Sequence, residues 1–416
     1  MTPEIKHRIE QIRHGNVSGG YKKTKAGILP ADWDVHMLGE CLSRVERSVE
    51  VKPDELYTQI GIRSHGKGLF YKEPVTGAAL GNKAVFWIEP DCFIVNIVFA
   101  WEQAIGKTTQ SEVGMIGSHR FPMYRPVNDR VDIDYLISYF LTKRGTDILE
   151  AASPGGAGRN KTLGQERFLK SKIVLPPIGE QQKIAAILTT QDKVIELKEK
   201  RLAEKQRQKK YLMQQLLTGK KRLPGFYGAW RFPKAKELFQ SVSDKDHNGD
   251  LAVLSSTQDR GIVPRDEVDI DIKYDACSLV NYKKVSKGNF VISLRSFQGG
   301  IEYSTYTGLV SPAYTVLSSR KEISDGYYKQ FFKSTDYINR LNVTVYGIRD
   351  GKQISYEDFG RLRIPYPPIK EQDAIAEVLS TADHEIDLLQ QDIEQEKQKK
   401  KALMQLLLTG IVRVKT

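Results

Sequence analysis

The sequence contains five loop-like segments whose basic and amide side chains are of the kinds that bind nucleic acid. Arg and Lys match the edges of guanine, Asn and Gln match those of adenine, and glycine lets a backbone approach a phosphate closely. Taken singly, each segment is equally typical of a solvated turn. The candidate DNA-binding residues are Arg63, Ser64, His65, Lys67, His119, Arg120, Arg159, Asn160 and Lys161 in the first half of the chain, and Arg295, Ser296, Gln298, Arg349, Lys352 and Gln353 in the second.

The charge of the whole chain supports this interpretation. Across 416 residues, 63 Lys and Arg exceed 51 Asp and Glu, which gives a formal net charge of +12. Such a surplus favours a polyanionic partner, either nucleic acid or an anionic membrane surface, and says nothing about fold. Five candidate loops on a basic chain favour double-stranded DNA and no membrane.

The residue patterns of several enzyme classes are missing. Gly106-Lys107-Thr108 has Trp101 where an ATPase phosphate loop needs its first glycine, and Lys161 replaces the third glycine of a dinucleotide-binding turn. No two histidines have the spacing of metal ligands, and the Asn- or Asp-Pro-Pro-aromatic element of amino-methyltransferases does not occur. Acidic-x-Lys pieces such as 271–273, which nucleases use, are common by chance. We therefore expect no catalytic residue, no metal and no cofactor in this chain.

The cysteines and the apolar segments bear on the compartment. Cys41, Cys92 and Cys277 are far apart and form no Cys-x-x-Cys, which predicts neither a disulfide nor a zinc site and fits a reducing cytosol. The most apolar window, 92–101, is shorter than the roughly 20 residues of a spanning helix, and the N-terminus shows no apolar signal region. We expect a soluble, unexported, cytoplasmic protein.

One internal repeat organises the chain. Pro-Pro-Ile-Gly-Glu-Gln at 176–181 recurs as Pro-Pro-Ile-Lys-Glu-Gln at 367–372, an offset of 371 − 180 = 191 residues. The match continues without a gap to a Leu-Leu-Thr-Gly segment that ends each copy. A weaker similarity relates residues 29–33 to residues 223–230, each of which begins with Leu-Pro and ends with Trp. We call this element the Leu-Pro…Trp marker. Each half therefore consists of this marker, a divergent block of roughly 130 residues and a repeated segment.

Each repeated segment is predicted to form one long helix, at 179–218 and at 370–409. The Pro-Pro pair suits the first turn, a carboxylate follows near the positive end of the helix dipole, and Thr-Gly ends the helix. Apolar residues recur at heptad spacing, which is the pattern of a coiled-coil seam. The seam residues are Leu188, Ile195, Leu202, Leu212 and Leu216 in the first copy, and Leu379, Ile386, Ile393, Leu403 and Leu407 in the second.

The charges of the two segments favour pairing of one helix with the other. Between Lys193 and Arg222 there are eleven Lys or Arg against three Glu, whereas the second copy is close to balanced. About forty residues at about 1.5 Å each make a rod near 60 Å, which we interpret as a spacer. The alternative is a helix bundle inside one globular domain, against which the polarity of the helices argues.

Both divergent blocks mix short β-rich runs with glycine-rich turns. Strands are predicted at 84–88 and 92–100 in the first block and at 288–294 and 314–317 in the second, with one late helical stretch in each, at 132–152 and 325–341. The fold class is therefore α+β. The predicted domains are an N-terminal arm at 1–28, a first block at 29–173, a central helical region at 174–222, a second block at 223–363 and a distal helical region at 364–416.

This frame resembles the specificity (S) subunits of type I restriction–modification enzymes. The resemblance covers essentially the whole chain and is strongest in the tandem Pro-Pro-Ile-x-Glu-Gln and Leu-Met-Gln-x-Leu-Leu-Thr-Gly segments and in the two Leu-Pro…Trp markers. Inside the blocks, Gly-Ile-Arg-Ser-His-Gly-Lys-Gly at 61–68 and Leu-Arg-Ser at 294–296 are similar to two classes of target-recognition domain.

The resemblance implies a function and partners. It implies two target-recognition domains separated by two long antiparallel coiled-coil helices in a pseudo-twofold repeat, each domain reading half of an asymmetric bipartite DNA site, about 34–36 Å apart if they share one face of the duplex. Two methyltransferase (M) subunits would dock on the helices and bring adenine-N6 methylation with AdoMet. Restriction (R) subunits would add ATP-driven translocation and cleavage, so AdoMet, ATP and Mg would be bound by partners. In this interpretation Ile5, Ile9 and Ile12 pack on the distal helix, and a mobile arm is the alternative.

Three other functions stay open from the sequence. The chain could serve a modification-only or related phage-defence methyltransferase. It could be an active nuclease or methyltransferase with fused recognition domains, or a coiled-coil scaffold with no role on DNA.

Overall fold

The structure, a computed structural model, describes residues 3–17, 19–24, 27–81, 83–155, 161–268, 276–294, 296–344 and 354–414. The chain forms two compact units, one made of residues 1–197 and 393–416 and the other of residues 198–392. None of the helices in the described ranges combines the length and the hydropathy that a membrane span requires.

The first unit contains the N-terminal segment, the first block and part of each long helix. Its strands are β1 Tyr21–Thr24, β2 Gly27–Pro30, β3 Asp34–Met37, β4 Leu42–Val45, β5 Leu56–Tyr57, β6 Ile60–Ile62, β7 Leu69–Tyr71, β8 Val75–Thr76, β9 Val85–Trp87, β10 Phe93–Val95, β11 Ile105–Lys107, β12 Ile116–Ser118, β13 Met123–Pro126 and β14 Lys172–Leu175. Its helices are α1 Pro3–Arg13, α2 Leu38–Cys41, α3 Gly77–Leu80, α4 Ile133–Phe140, α5 Lys143–Ala151, α6 Gln165–Lys170 and the start of the long α7 Ile178–Leu216.

The second unit contains the second block and the remaining parts of the long helices. Its strands are β15 Phe239–Val242, β16 Leu254–Thr257, β17 Gly261–Pro264, β18 Lys283–Val285, β19 Phe290–Ile292, β20 Glu302–Tyr303, β21 Gly308–Val310 and β22 Thr315–Ser319. Its helices are α8 Ala235–Leu238, α9 Ser296–Gly299, α10 Asp325–Phe331, α11 Thr335–Thr344, α12 Tyr356–Arg361 and the start of the long α13 Ile369–Leu407.

The two blocks share one topology although their sequences have little in common. A four-stranded antiparallel sheet has the order β11-β10-β13-β4 in the first block and β20-β19-β22-β15 in the second. A second strand pair, β12-β9 in the first block and β18-β21 in the second, is also matched. Residue numbers at equivalent places differ by 290 − 93 = 197 at β10 and β19 and by 356 − 165 = 191 at α6 and α12. Most of this change in offset arises because β11 is followed by a longer connection, including the 3₁₀ turn Gln110–Glu112, than β20.

The late helical stretch of each block is two helices rather than the single one predicted. In the first block α4 and α5 are separated at Thr142, whose side chain caps α5 by accepting a hydrogen bond from Gly145 N. A Cβ on Gly145 would lie 2.2 Å from the carbonyl oxygen of Tyr139, so only glycine fits where the two helices meet. The second block also has two helices at this place, α10 and α11.

The long helices pair antiparallel in each unit, which confirms the predicted fold class. In the first unit, Gln191 Nε2 donates to Glu396 Oε2 at 2.7 Å, and Asp192 pairs with Lys400 at 2.5 Å. Leu188 packs near Leu407 in the same core. Numbers therefore rise along α7 as they fall along α13.

In the second unit the cross-helix contacts are mainly ion pairs flanked by an apolar seam. Lys198 pairs with Asp392 at 2.8 Å and Lys205 with Glu385 at 2.6 Å, and Lys209 pairs with Asp383. The surplus of positive charge on α7 is thus partly neutralised by α13.

The predicted seam residues of the two long helices differ in burial. Leu188, Ile195, Leu216, Leu379, Ile386, Ile393 and Leu407 are buried, and Leu202, Leu212 and Leu403 are half-buried.

A buried carboxylate near the start of each long helix ties the unit together. In the first unit, Glu180 accepts hydrogen bonds from Trp33 Nε1 at 3.1 Å and from Arg413 Nε and Nη2, each at 2.8 Å. In the second, Glu371 accepts from Trp230 Nε1 at 2.9 Å and from Arg222 Nε and Nη2 at 2.5 and 2.7 Å. Because a bidentate Arg and an indole N–H satisfy both oxygens, the carboxylate can be buried.

The glycine of each Thr-Gly ending is favoured by its backbone conformation and leaves little room for a side chain. Gly219 and Gly410 have φ of +71° and +72°, the left-handed region that ends helices. A Cβ on Gly410 would lie 2.5 Å from Pro30, and one on Gly219 would lie 3.1 Å from Trp230. The Leu-Pro…Trp marker therefore packs on the end of a long helix in both units.

The N-terminal segment contacts the end of the distal helical region within the first unit. Tyr21 Oη donates to Gly410 O at 2.7 Å, and Arg8 Nη1 donates to Ile411 O at 3.1 Å. Ile5, Ile9 and Ile12 on α1 are half-buried. Arg8 and Tyr21 thus fasten this segment through polar contacts.

Candidate nucleic-acid interface

The loop between β6 and β7 in the first block presents the first group of candidate residues. His65 N donates to Glu102 O at 2.8 Å and Gly66 N to Gln103 O at 2.9 Å, which fixes the loop on the turn after β10. His65 adopts φ +60°, a region in which glycine is favoured. Non-glycine residues held in this region are concentrated at functional sites.

The side chains of this loop differ in their availability. His65 and Lys67 are exposed, whereas Ser64 Oγ donates to Glu102 Oε2 at 2.9 Å. Arg63 is exposed, but its Nη1 donates to Leu69 O at 2.6 Å and its guanidinium lies 5.1 Å from the centre of the Phe70 ring. The guanidinium of Arg63 is therefore held against its own hairpin.

A concave site of about 420 Å³ lies in the first block beside the second group of candidate residues, and we call it the basic cavity. His119 and Arg120, both exposed, form part of its wall in the turn after β12. The described residues that line it are Gln59, Ile60, Lys72, Lys83, Val85, Asn96, Val98, Phe99, Ser118, His119, Arg120 and Phe121. Lys72 and Lys83 also line this cavity, although the sequence analysis did not single them out. An isolated lysine between short strands forms no motif that would mark it.

Of the third predicted group, Arg159, Asn160 and Lys161, only Lys161 lies within the described residues. Lys161 Nζ is 5.3 Å from the centre of the Trp101 ring, and Trp101 Nε1 donates to Val98 O at 3.1 Å. Lys161 is thereby placed on the same segment that contributes Val98 to the basic cavity. Arg159 and Asn160 lie outside the described residues.

In the second block only two of the six candidate residues are described. Gln298 is exposed on α9, whereas Ser296 is 1% exposed and its Oγ accepts a hydrogen bond from Ser293 N at 2.8 Å. Ser296 therefore shapes the turn that precedes Gln298 and has little surface of its own. Arg295, Arg349, Lys352 and Gln353 lie outside the described residues.

A buried ion pair supports the turn after α9. Lys333 Nζ pairs with Glu302 and donates to Gly299 O at 2.9 Å and to Gln258 O at 3.1 Å. Burial raises the pKa of the Glu302 carboxyl above its ordinary value, and the nearby Lys333 opposes this rise. Sequence reasoning did not single out Lys333, whose role depends on the meeting of three separate segments.

The exposed candidate residues share one kind of position. Exposed Arg, Lys and His side chains stand on loops fastened to a sheet, which is the arrangement of a recognition surface. Among the described residues, no group of three His, Cys, Asp or Glu is placed to hold a metal ion.

Comparison with known proteins identifies similar chains. The family model of the type I restriction modification DNA specificity domain matches residues 89–206 and 230–398. A putative type I restriction enzyme MjaX specificity subunit from Methanocaldococcus jannaschii is 25% identical over 428 residues, which cover 95% of this chain and 97% of that protein.

Solved structures share the fold at low identity. The crystal structure of the HsdS subunit from Thermoanaerobacter tengcongensis has a TM-score of 0.51 at 19% identity, covering 92% of this chain and 98% of that one. A chain from a structure on complex assembly and conformational transition of the type I R-M system has a TM-score of 0.58 at 20% identity, covering 92% and 99%.

Proposed function

Because the chain belongs to the type I restriction–modification DNA specificity family, we propose that it reads an asymmetric, bipartite DNA site, one half with each block. The observation that carries this proposal is the common topology of two blocks whose loops differ, since a constant frame with unlike loops suits two readers of different base sequences. Each block is thus a recognition domain, and the asymmetry of the site follows from the difference between them.

In this proposal the loops contact DNA and the core of each block positions them. Arg63, His65, Lys67, His119, Arg120 and Lys161 from the first block, and Gln298 from the second, are the described candidates for direct contact. Ser64 and Ser296 would act through their loops, because their hydroxyl groups bond inside the protein. Arg159, Asn160, Arg295, Arg349, Lys352 and Gln353 complete the set on sequence grounds.

The long helices would be the spacer and the docking surface for partner subunits. Leu197 and Tyr211 on α7 and Leu388 on α13 are 65%, 54% and 51% exposed, which leaves apolar groups on the outside of paired helices. Two methyltransferase (M) subunits would dock there and restriction (R) subunits would join them. The chain itself would be non-catalytic, with AdoMet, ATP and Mg bound by its partners.

The test combines binding with turnover. The chain, assembled with its methyltransferase subunits, is titrated with its target duplex and with random duplex at several salt concentrations. We expect tighter binding to the target and affinity that falls steeply as salt rises, because bound lysines and arginines release counterions. Binding that ignores salt would support a scaffold instead.

A second experiment uses the purified chain without its partner subunits. Incubated with target DNA and either AdoMet or Mg²⁺, it should neither methylate nor cleave, while the complex with methyltransferase subunits methylates adenine. Turnover by the chain alone would contradict the proposal and favour an enzyme with fused recognition domains.

A further inference from the structure

The size of the basic cavity exceeds what an ordinary groove contact needs. Its volume of about 420 Å³ lies within the range of roughly 300–1,000 Å³ that is typical of sites for whole small molecules. The edges of stacked base pairs stay inside the grooves of the duplex and do not enter a concave site. A phosphate or an unstacked nucleotide is what a duplex can insert there.

The charges of the wall suit a phosphate. Lys72, Lys83 and Arg120 line the cavity together with His119, and none of its described lining residues is Asp or Glu. Lys72, Lys83 and Arg120 are exposed, so their head groups can reach an anion at the mouth. A phosphate bound there would receive charge-assisted hydrogen bonds.

The rest of the wall suits a base. Phe99 is 37% exposed, and Ile60, Val85 and Val98 add apolar surface. Asn96 is 8% exposed, and its Oδ1 accepts a hydrogen bond from Val98 N at 3.1 Å, which orients the amide and makes its NH₂ group the donor for a ligand. A phosphate alone would use neither the aromatic ring nor the buried amide, whereas a base stacks on one and bonds to the other.

We propose that the basic cavity accepts one nucleotide of the bound DNA, turned out of the base stack, with its base against Phe99 and Asn96 and its phosphate against Lys72, Lys83 and Arg120. The proposal rests on the proposed function, because DNA is its ligand. It adds a mode of reading in which the first block tests one position of its half-site by how easily that nucleotide unpairs.

Among the described residues, the second block carries other groups at the place equivalent to His119 and Arg120. Strand β12 ends at Ser118 opposite Val85, and its counterpart β21 ends at Val310 opposite Lys283. The residues that follow are His119 and Arg120 in the first block and Ser311 and Pro312 in the second. The inserted nucleotide therefore belongs to the half-site read by the first block.

Mismatch scanning tests the proposal. The complex of the full chain with its methyltransferase subunits is titrated with target duplexes that carry a single mismatch at each position of either half-site. A mismatch ordinarily weakens binding, but at an extruded nucleotide it lowers the cost of unpairing. Methyltransferases extrude their target base, so a gain at a methylated adenine belongs to the partner subunits. Besides those adenines, we expect one position in the half-site read by the first block at which the mismatch tightens binding several-fold.

Two variants and a control connect that position to the cavity. Phe99→Ala and the double variant Lys72→Gln/Lys83→Gln should abolish the gain, while Phe232→Ala, which removes a phenyl group that is 47% exposed in the second unit, should keep it. Urea unfolding of each variant checks that the fold is intact. A gain at that position that survives Phe99→Ala would overturn the proposal.

The remaining outcomes separate this inference from the proposed function. Salt-dependent binding to the target with no mismatch gain outside the methylated adenines leaves the function standing and overturns the inserted nucleotide. Free deoxynucleoside monophosphates that bind at the cavity, again without a mismatch gain, would assign it to a soluble nucleotide. A complex that binds no DNA at all would overturn both.

Discussion

At the scale of single residues, the two halves of the chain repeat one buried carboxylate site. Glu371 is 0% exposed and Glu180 is 1% exposed, and each accepts a bidentate Arg and a Trp N–H. Arg222 and Arg413 are related by the same offset as the helices, 413 − 222 = 191. Sequence reasoning missed Arg413 as the partner of Glu180, because Ile411 and Val412 precede it where Lys220 and Lys221 precede Arg222.

Removal of one arginine should therefore cost a large share of the stability. Arg222→Ala leaves Glu371 buried without its cation, and we expect the free energy of unfolding to fall by about 3 kcal/mol. Lys221→Ala, at an exposed neighbouring position, should change it by no more than about 0.5 kcal/mol. Urea denaturation followed by tryptophan fluorescence measures both, and equal small effects would show that the carboxylate is not dependent on its arginine.

The buried pair of Glu302 and Lys333 predicts a dependence of stability on pH. Burial raises the pKa of Glu302 above the ordinary value of 4.5, so the folded state holds this proton more tightly than the unfolded state does. The contribution of Glu302 is fully present below the unfolded pKa and is lost as pH rises through the folded pKa. Relative to Glu302→Gln, the native chain should lose stability as pH rises across this window. Urea unfolding at several pH values tests this, and a difference that stays constant or grows with pH would refute it.

At the scale of elements, the long helices are the part of the fold that the sequence predicted best. Their predicted bounds, 179–218 and 370–409, differ by one or two residues from the observed Ile178–Leu216 and Ile369–Leu407. Pro-Pro, Thr-Gly and the heptads are local signals, so neighbouring residues suffice to place these helices. The break between α4 and α5 was missed because it depends on the approach of Gly145 to Tyr139, which the apolar pattern of 132–152 does not encode.

Two leucines of α13 that differ in burial test the contribution of the helix seam to stability. Leu379 is 0% exposed in the core of the second unit, whereas Leu388 is 51% exposed on the same helix. Leu379→Ala should lower the free energy of unfolding by about 2–5 kcal/mol because it leaves a cavity, and Leu388→Ala should be close to neutral. Urea denaturation distinguishes them. If Leu388→Ala leaves stability unchanged but weakens binding of the methyltransferase subunits, it also marks the docking face.

At the scale of the whole molecule, the duplicated frame could be predicted from sequence and the interface only in part. The Pro-Pro and Leu-Pro…Trp repeats predict two halves, and the equal sheet order of the two blocks extends that repeat into segments where the residues no longer match. Lys72, just after β7, and Lys83, just before β9, meet at the basic cavity, and Ser296 is buried although its loop is polar. Such placements arise from tertiary packing, which local patterns do not contain.

The spacer role predicts how the target changes with helix length. Seven residues inserted after Leu197 in α7 and seven after Asp392 in α13 keep the heptads in register and add about 10.5 Å. We expect the gap between the two half-sites to grow by about three base pairs with both half-site sequences kept, and methylation to weaken because the second half-site also rotates about the duplex. Methylome sequencing reads the gap. An insertion in α7 alone, which breaks the register, is the control and should abolish methylation.

Exchange of one block tests most directly that each block reads its own half of the target. Residues 223–363 are replaced by the corresponding segment of another specificity subunit, and the methylated motif is read by sequencing the DNA of cells that carry the chain with its methyltransferase subunits. Our account predicts a motif that keeps one half of the original sequence and replaces the other. A motif in which both halves change, or neither does, would contradict it.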